Sequence, residues 1–251
     1  MNDVARLAIV SLAGVAAGGV NAIAGGGGLI AFPVMLAFGV PPVSASASST
    51  VVMVPGFLGS AGAQRRDLKR LVSWCRPLFV AGMVGGAVGA AVLATTSNGS
   101  FESLVPFMLI GACALILGQD RIRGWLTGRR RQQSVNRAVI LGLTVAASVY
   151  GGFFGAGLGI VMLAILGIGL TEPPKDLNVM KTAVSLGVNI AAGVFVIAVG
   201  LVDWPITISM AIGSTIGGYI GGRFVGKLKP QPLRRLVCVI AVVLTAVYLL
   251  R

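Results

Sequence analysis

Apolar residues run through this chain in long stretches with short polar segments between them: Leu7 to Gly62, Pro77 to Ala94, Phe101 to Gly118, Ala138 to Leu170, Ala183 to Val202, Pro205 to Gly222 and Leu233 to Leu250. Most reach the roughly 20 residues that carry a helix across a bilayer. The pattern predicts an all-α polytopic membrane protein with no room for a separate soluble domain. One stretch is interrupted from within: "GGVNAIAGGGGLIAFPVMLAFGVPP", residues 18–42, holds four consecutive glycines, Gly25 to Gly28, and halts at Pro41 and Pro42. In a helix in water each interior Gly costs about 1 kcal/mol against Ala, so the glycines ask what solvent and what neighbours they serve.

The interruption recurs. "GGVNAIAGGGGLI" at 18–30 is answered by "GGFFGAGLGIV" at 151–161, and "PPVSASASST" at 41–50 by "PPKDLNVMKT" at 173–182, which pairs Thr50 with Thr182 at an offset of 132. At the same offset "GGAVG" at 85–89 pairs with "GGYIG" at 217–221, and Trp74 and Trp204 precede the two glycine runs. Three collinear matches predict a duplication. The same recurrence argues against reading MNDVAR and the run after it as a secretion signal.

Charge sets the direction of the copies. In the first copy the loop before "GGAVG" is basic (Arg65 to Arg70) and "TTSNGSFES" after it has no Lys or Arg. In the second, "GLVDWP" carries only Asp203 and "RFVGKLKPQPLRR" follows the glycines. Basic loops stay on the cytoplasmic side, so the two copies are expected to be inverted-topology repeats. Three spans per half, near 44–63, 77–94, 103–119 and 178–202, 205–222, 233–250, leave residues 7–40 and 138–170 to enter and leave on one side. At roughly 1.5 Å per residue each makes a hairpin of two short helices broken at glycine. The expected count is about 8–10 membrane segments, according to whether the hairpins cross, with both termini outside. The division is 1–120 for the first repeat, 121–137 for a cytoplasmic basic linker and 138–251 for the second repeat.

Composition agrees with a bilayer environment: 56% of residues are hydrophobic and 11% charged, against about 25% charged in soluble domains. The net charge of +13 sits in short clusters between apolar runs and offers no folded aqueous surface for nucleic acid. Cys75, Cys113 and Cys238 are isolated and the chain has no His, which argues against zinc, haem or Cys/His catalysis and gives no reason to expect a cofactor or an enzyme. The cysteines read as small packing residues.

In transporters built from inverted repeats, broken helices meet near the bilayer midplane, where their free N-terminal N–H groups bind an anion. Gly25, Gly26, Gly27 and Gly28, with Gly155, Gly157 and Gly159, fit that role or else permit tight packing. The glycines at 82, 85, 86 and 89 and at 213, 217, 218, 221 and 222 have the spacing of touching helix backbones. Polar residues, costly in a bilayer, gather after the double prolines: Ser44, Ser46, Ser48, Ser49 and Thr50 in one copy, Lys175, Asp176, Asn178, Lys181 and Thr182 in the other. Asn21 lies in the first hairpin and Asn189 in the helix after the second. From these the expected substrate-binding set takes Asn21, Ser48, Ser49, Thr50, Asn178, Lys181, Thr182 and Asn189 with the seven hairpin glycines. Lys181, whose counterpart is the neutral Ser49, is the expected charge selector beside the second break, unless it snorkels to the surface. Glu172 and Asp176 are near enough to carry protons and otherwise read as loop charges.

These residues resemble the sulfite exporter TauE/SafE family, also called the toluene-sulfonate uptake permease family. The likeness rests on "GGGGLIAFPVMLAFGVPPVSASASST" with "GFLGS", on "GGFFGAGLGI" with "NVMKTAVSLGVN", and on "DWPITISMAIGSTIGGYIGGRFVGKLKPQPLRRL", and it covers nearly the whole chain. The second copy departs from the pattern: "GAGLG" replaces a fuller glycine run and Leu163 stands where the first copy has Pro33. The resemblance implies a multi-pass protein of the bacterial inner membrane whose glycine breaks flank the path of a small anion, sulfite, a sulfonate or a related organic acid. The expected partners are that anion and the lipid bilayer, with a coupling ion, proton or sodium, and a homodimer left open. A channel-like pore and a non-transporting membrane assembly factor are the alternatives.

Overall fold

Proline pairs and glycine breaks set the boundaries of the elements. The computed structural model describes residues 3–128 and 136–224, with Cys238, Val239 and Val243 beyond them; most of the predicted span 233–250, residues 129–135 of the central basic stretch and residues 225–235 of the C-terminal one fall outside the described residues. Within these the chain forms ten helices and no strand. The first hairpin is α1 (Asp3–Ala24) and α2 (Gly28–Ala37); then come α3 (Pro42–Ala63), the six-residue α4 (Arg65–Arg70), α5 (Val72–Thr95) and α6 (Asn98–Gly128). The second hairpin is α7 (Arg137–Phe153) and α8 (Leu158–Gly169), followed by α9 (Pro174–Ala198) and α10 (Trp204–Phe224). Both α3 and α9 open with Pro at the first helical position, where the missing N–H would have had no partner.

Among the described residues five helices are long and apolar enough to cross a membrane: α1, α3, α5, the first part of α6, and α9. The hairpins contain the two short helices of the sequence reading only in part. α2 and α8, of 10 and 12 residues, are too short to cross, but α1 has 22 residues, about 33 Å of helix. Nothing in "DVARLAIVSLAGVAAGGVNAIA" breaks the backbone before Gly25, so the helix continues to it.

Small residues set how the helices run against one another. Gly213, Gly217 and Gly221 of α10 face Ser11, Val15 and Gly19 of α1 in rising order, and Gly56 and Gly59 of α3 face Ser214 and Thr215 of α10. In the same way Gly82 and Gly86 of α5 face Val184 and Val188 of α9, while Gly85 and Gly89 face Val145 and Val149 of α7. Rising numbers on both sides mean parallel helices, so α1, α3 and α10 form one parallel set and α5, α7 and α9 another. The sets oppose each other: α3 leads through α4 straight into α5, while its first turn, at Val43 N–H, is held by Asn98 Oδ1 just past the end of α5 (3.1 Å). A Cβ at these glycines would strike opposing backbone, which is why the crossings need them.

The outward faces are apolar. Val80, Val84, Val88 and Val92 line the exposed side of α5, and Ile208, Ile212, Ile216 and Ile220 that of α10. Val80, Val84 and Val88 lie 132 residues before Ile212, Ile216 and Ile220. Such stripes at four-residue spacing suit lipid tails. Basic side chains collect at one end: α4, Arg137 at the start of α7, Lys175 at the start of α9 and Arg223 at the end of α10. There Arg137 donates to Ser73 O (2.6 Å) and covers the Trp74 ring. At the opposite end Arg6 donates to Phe38 O (2.7 Å), joining the start of α1 to the end of α2, so the first hairpin enters and leaves on one side.

Candidate functional site

The two helix breaks touch. α1 ends where Gly25 turns to φ 79° and its N–H donates to Val20 O and Asn21 O at 3.2 and 3.0 Å; only Gly takes that conformation without strain. α7 ends at Phe153, and Gly155, also at φ 79°, returns its N–H to Tyr150 O. A Cβ at Gly159 would lie 2.8 Å from Gly25 Cα, and one at Gly28 would lie 3.2 Å from Ala156 Cα. The glycines are therefore packed backbone to backbone, one hairpin against the other.

Beside this contact lies a partly open cavity of about 350 Å³, mouth included. Its walls come from both hairpins and from the middles of α3 and α9. Eight of the expected site residues line it: Asn21, Gly25, Gly28, Ser49, Thr50, Gly155, Gly159 and Asn189. Five more line it without having been expected: Met53, Phe57, Phe154, Leu158 and Ser185. The α3 stripe is 49, 50, 53 and 57, and α9 supplies 185 and 189, the positions 132 residues after Met53 and Phe57.

The remaining expected residues stand elsewhere. Gly27 is the N-cap of α2 and packs on Asn21, and Gly26 accepts a hydrogen bond from Leu29 N–H in the same turn. Gly157, at φ 82°, caps α8 and faces Ala112 of α6. Ser48 Oγ accepts from Asp203 N–H (2.9 Å). Thr182 donates to Asn178 O (2.9 Å), and the buried Asn178 amide nitrogen has no partner among the described residues.

Lys181 is fully buried, which excludes snorkelling. Its side chain runs behind Gly159, 3.3 Å from where a Cβ there would sit, and Nζ reaches Asn21 O at the end of α1 (3.4 Å). It stands one residue behind the cavity wall, among neither the lining residues nor the charges at the surface. Asp176 is no free loop charge either: it is buried and accepts from Arg70 at 2.5 Å, while Lys175 pairs with Asp67 at 2.8 Å.

The arrangement suits an anion. α2 and α8 start at the cavity; Leu29, Ile30, Leu158 and Ile160 N–H turn back on carbonyls of the same breaks, and what each helix start offers an anion is the positive end of its dipole. Ser49 and Thr50 donate to Ser46 O, and the Asn189 amide donates to Ser185 O, so hydroxyl donors can turn to a ligand and Asn189 keeps a second N–H. Among the described residues no acidic side chain lines the cavity. The second break is braced by Tyr150, whose hydroxyl donates to Ala156 O (2.5 Å), and by Ser46, which donates to Phe153 O (2.9 Å). Among the described residues no cluster of His, Cys, Asp and Glu could hold a metal ion.

Comparison with known proteins agrees with this architecture. A family model described as sulfite exporter TauE/SafE matches residues 10–249. The chain is 26% identical over 253 residues to a "Probable membrane transporter protein" of Haemophilus influenzae, covering 96% of this chain and 93% of that one. It is 32% identical over 259 residues to "Probable membrane transporter protein ORF9" of a Sinorhizobium species, covering 97% and 93%. No solved structure matches.

Proposed function

The chain belongs to the sulfite exporter TauE/SafE family and is a multi-pass membrane transporter, and from that premise we propose that it carries a small anion, sulfite, a sulfonate or a related organic acid, by alternating access. The observation that carries this reading is the cavity between the two touching breaks, where two helix N-termini converge, no acid lines the wall among the described residues and one lysine stands behind it. Asn21, Asn189, Ser49 and Thr50 orient the oxygens of the anion, and Lys181 supplies charge through the wall.

The opposite directions of α1, α3 and α5 against their counterparts α7, α9 and α10 support inverted repeats. The moving bodies suggested by the packing are not the sequence halves. α10 packs with α1 and α3, and α5 with α7 and α9, so each half lends one helix to the other. α3 and α9 meet between the two sets and flank the cavity; rocking one set against the other opens it alternately. By the positive-inside rule the end carrying α4 is cytoplasmic.

The test is uptake of labelled sulfite, taurine, sulfoacetate and acetate into proteoliposomes. Saturable uptake of one of them, weakened by Lys181→Ala far more than folding is, supports the reading. Flux that never saturates points to a pore. No uptake by folded protein, with a stable membrane partner, points to an assembly factor.

A further inference from the structure

Among the described residues Lys181 has no counter-charge. An ammonium offers three donors, yet the recorded acceptor is one backbone carbonyl, Asn21 O at 3.4 Å, and the side chain is wholly shielded. On its own helix the nearest charges, Lys175 and Asp176, are already paired with Asp67 and Arg70. α3 and α8, packed against α9, carry no titratable side chain. α7 brings Arg137 at its start and Tyr150, whose hydroxyl is bonded to Ala156 O; α5 brings Cys75 and Arg76 near its start. α1, whose carbonyl Lys181 touches, has Asp3 and Arg6 at its opposite end. The repeat counterpart, Ser49, is neutral and lines the cavity.

An ammonium so poorly solvated is expensive unless a negative charge comes to it. The neighbouring cavity is where the anion arrives, and Asn21 belongs to both sites, lining the cavity and holding Lys181. We propose that Lys181 is the seat of a coupled proton: it is a neutral amine in the empty carrier and an ammonium when the anion is bound. This rests on the anion-carrier reading and adds the coupling ion to it. A proton from the aqueous mouth adds to the Lys181 amine as the anion enters, both leave on the far side, and the amine is regenerated. Each cycle moves one anion with one proton. By linkage, the anion favours protonation by the same factor as protonation favours the anion.

The experiment uses the full-length protein in proteoliposomes with labelled methanesulfonate, whose single charge does not change across the neutral range, so any pH response belongs to the protein. Wild-type accumulation follows an imposed pH gradient about tenfold per unit and ignores a potassium diffusion potential. Lys181→Arg, permanently charged, reverses this: uptake follows the potential and ignores the pH gradient. Lys181→Met loses the pH response. Calorimetry of methanesulfonate binding in buffers of different ionisation heat gives about one proton taken up per wild-type site and none for either variant. Wild-type transport driven by potential alone, pH-driven accumulation surviving in Lys181→Met, or no proton taken up by the wild type overturns the proposal. Intact counterflow beside any of these leaves the carrier reading standing, whereas absence of flux and of binding removes both.

Discussion

Gly159→Ala tests whether contact between the two breaks makes the site. The added Cβ would stand 2.8 Å from Gly25 Cα and 3.3 Å from Lys181 Cδ, whereas carbons rest about 3.5–4.0 Å apart. Lys181 Cδ can swing aside; Gly25 is backbone held at φ 79°, so the hairpins must part by about 1 Å. Overpacking of this kind costs about 1–3 kcal/mol. If about 1.4 kcal/mol of it falls on the anion-bound state, apparent affinity drops about tenfold. The assay is initial uptake rate against anion concentration in proteoliposomes, with thermal unfolding followed in parallel. KM is expected to rise at least tenfold while the midpoint falls only a few degrees. Gly111→Ala in α6, where a Cβ meets nothing within 4 Å, is the control and should change neither. Wild-type KM in Gly159→Ala, or equal damage in Gly111→Ala, refutes the reasoning.

Other substitutions probe the parts around that contact. Gly86→Val places a side chain against the Val188 backbone, where even a Cβ lies 2.5 Å from its carbonyl oxygen; the yield of monodisperse protein after extraction should collapse. Tyr150→Phe removes the donor to Ala156 O and should cost about 1–3 kcal/mol, with a raised KM as the second break loosens. The hydrogen bond from Lys175, helped by the nearby cations, holds the Asp67 carboxyl below the usual carboxylate value against a smaller opposing effect of burial. A depressed value means that the contribution is present above the unfolded value of about 4 and is lost as pH falls through the folded one. Asp67→Asn should therefore melt slightly below wild type at neutral pH, by a few tenths of a kcal/mol for so exposed a pair, and the gap should close in acid. A gap that widens in acid contradicts the assignment.

The sequence pattern located both breaks because glycine clusters inside apolar runs have few other uses, and it recognised the crossings of α5 and α10 from their spacing. It missed the length of α1, since a glycine at position 18 or 19 looks the same in a helix that continues as in one that stops. Met53, Phe57, Phe154 and Leu158 escaped because only glycines and polar positions were sought, and Ser185 because the polar residues of that copy were gathered next to its double proline. Yet Phe57 lies 132 residues before Asn189, so carrying the offset back from Asn189 would have found that part of the α3 wall. The reach of Lys181 to Asn21 O could not be read from spacing, because it depends on how the second repeat packs against the first. Asp176 likewise looked like a loop charge because its partner, Arg70, lies 106 residues away.

The central claim is that a cavity between the two helix breaks carries a small anion across the membrane. Counterflow measures this most directly: proteoliposomes are loaded with unlabelled anion, diluted, and given trace label with all ion gradients collapsed. The account predicts a transient overshoot of labelled anion that saturates with internal concentration and weakens in Gly159→Ala. Label that only equilibrates passively, at a rate indifferent to the internal anion, contradicts it.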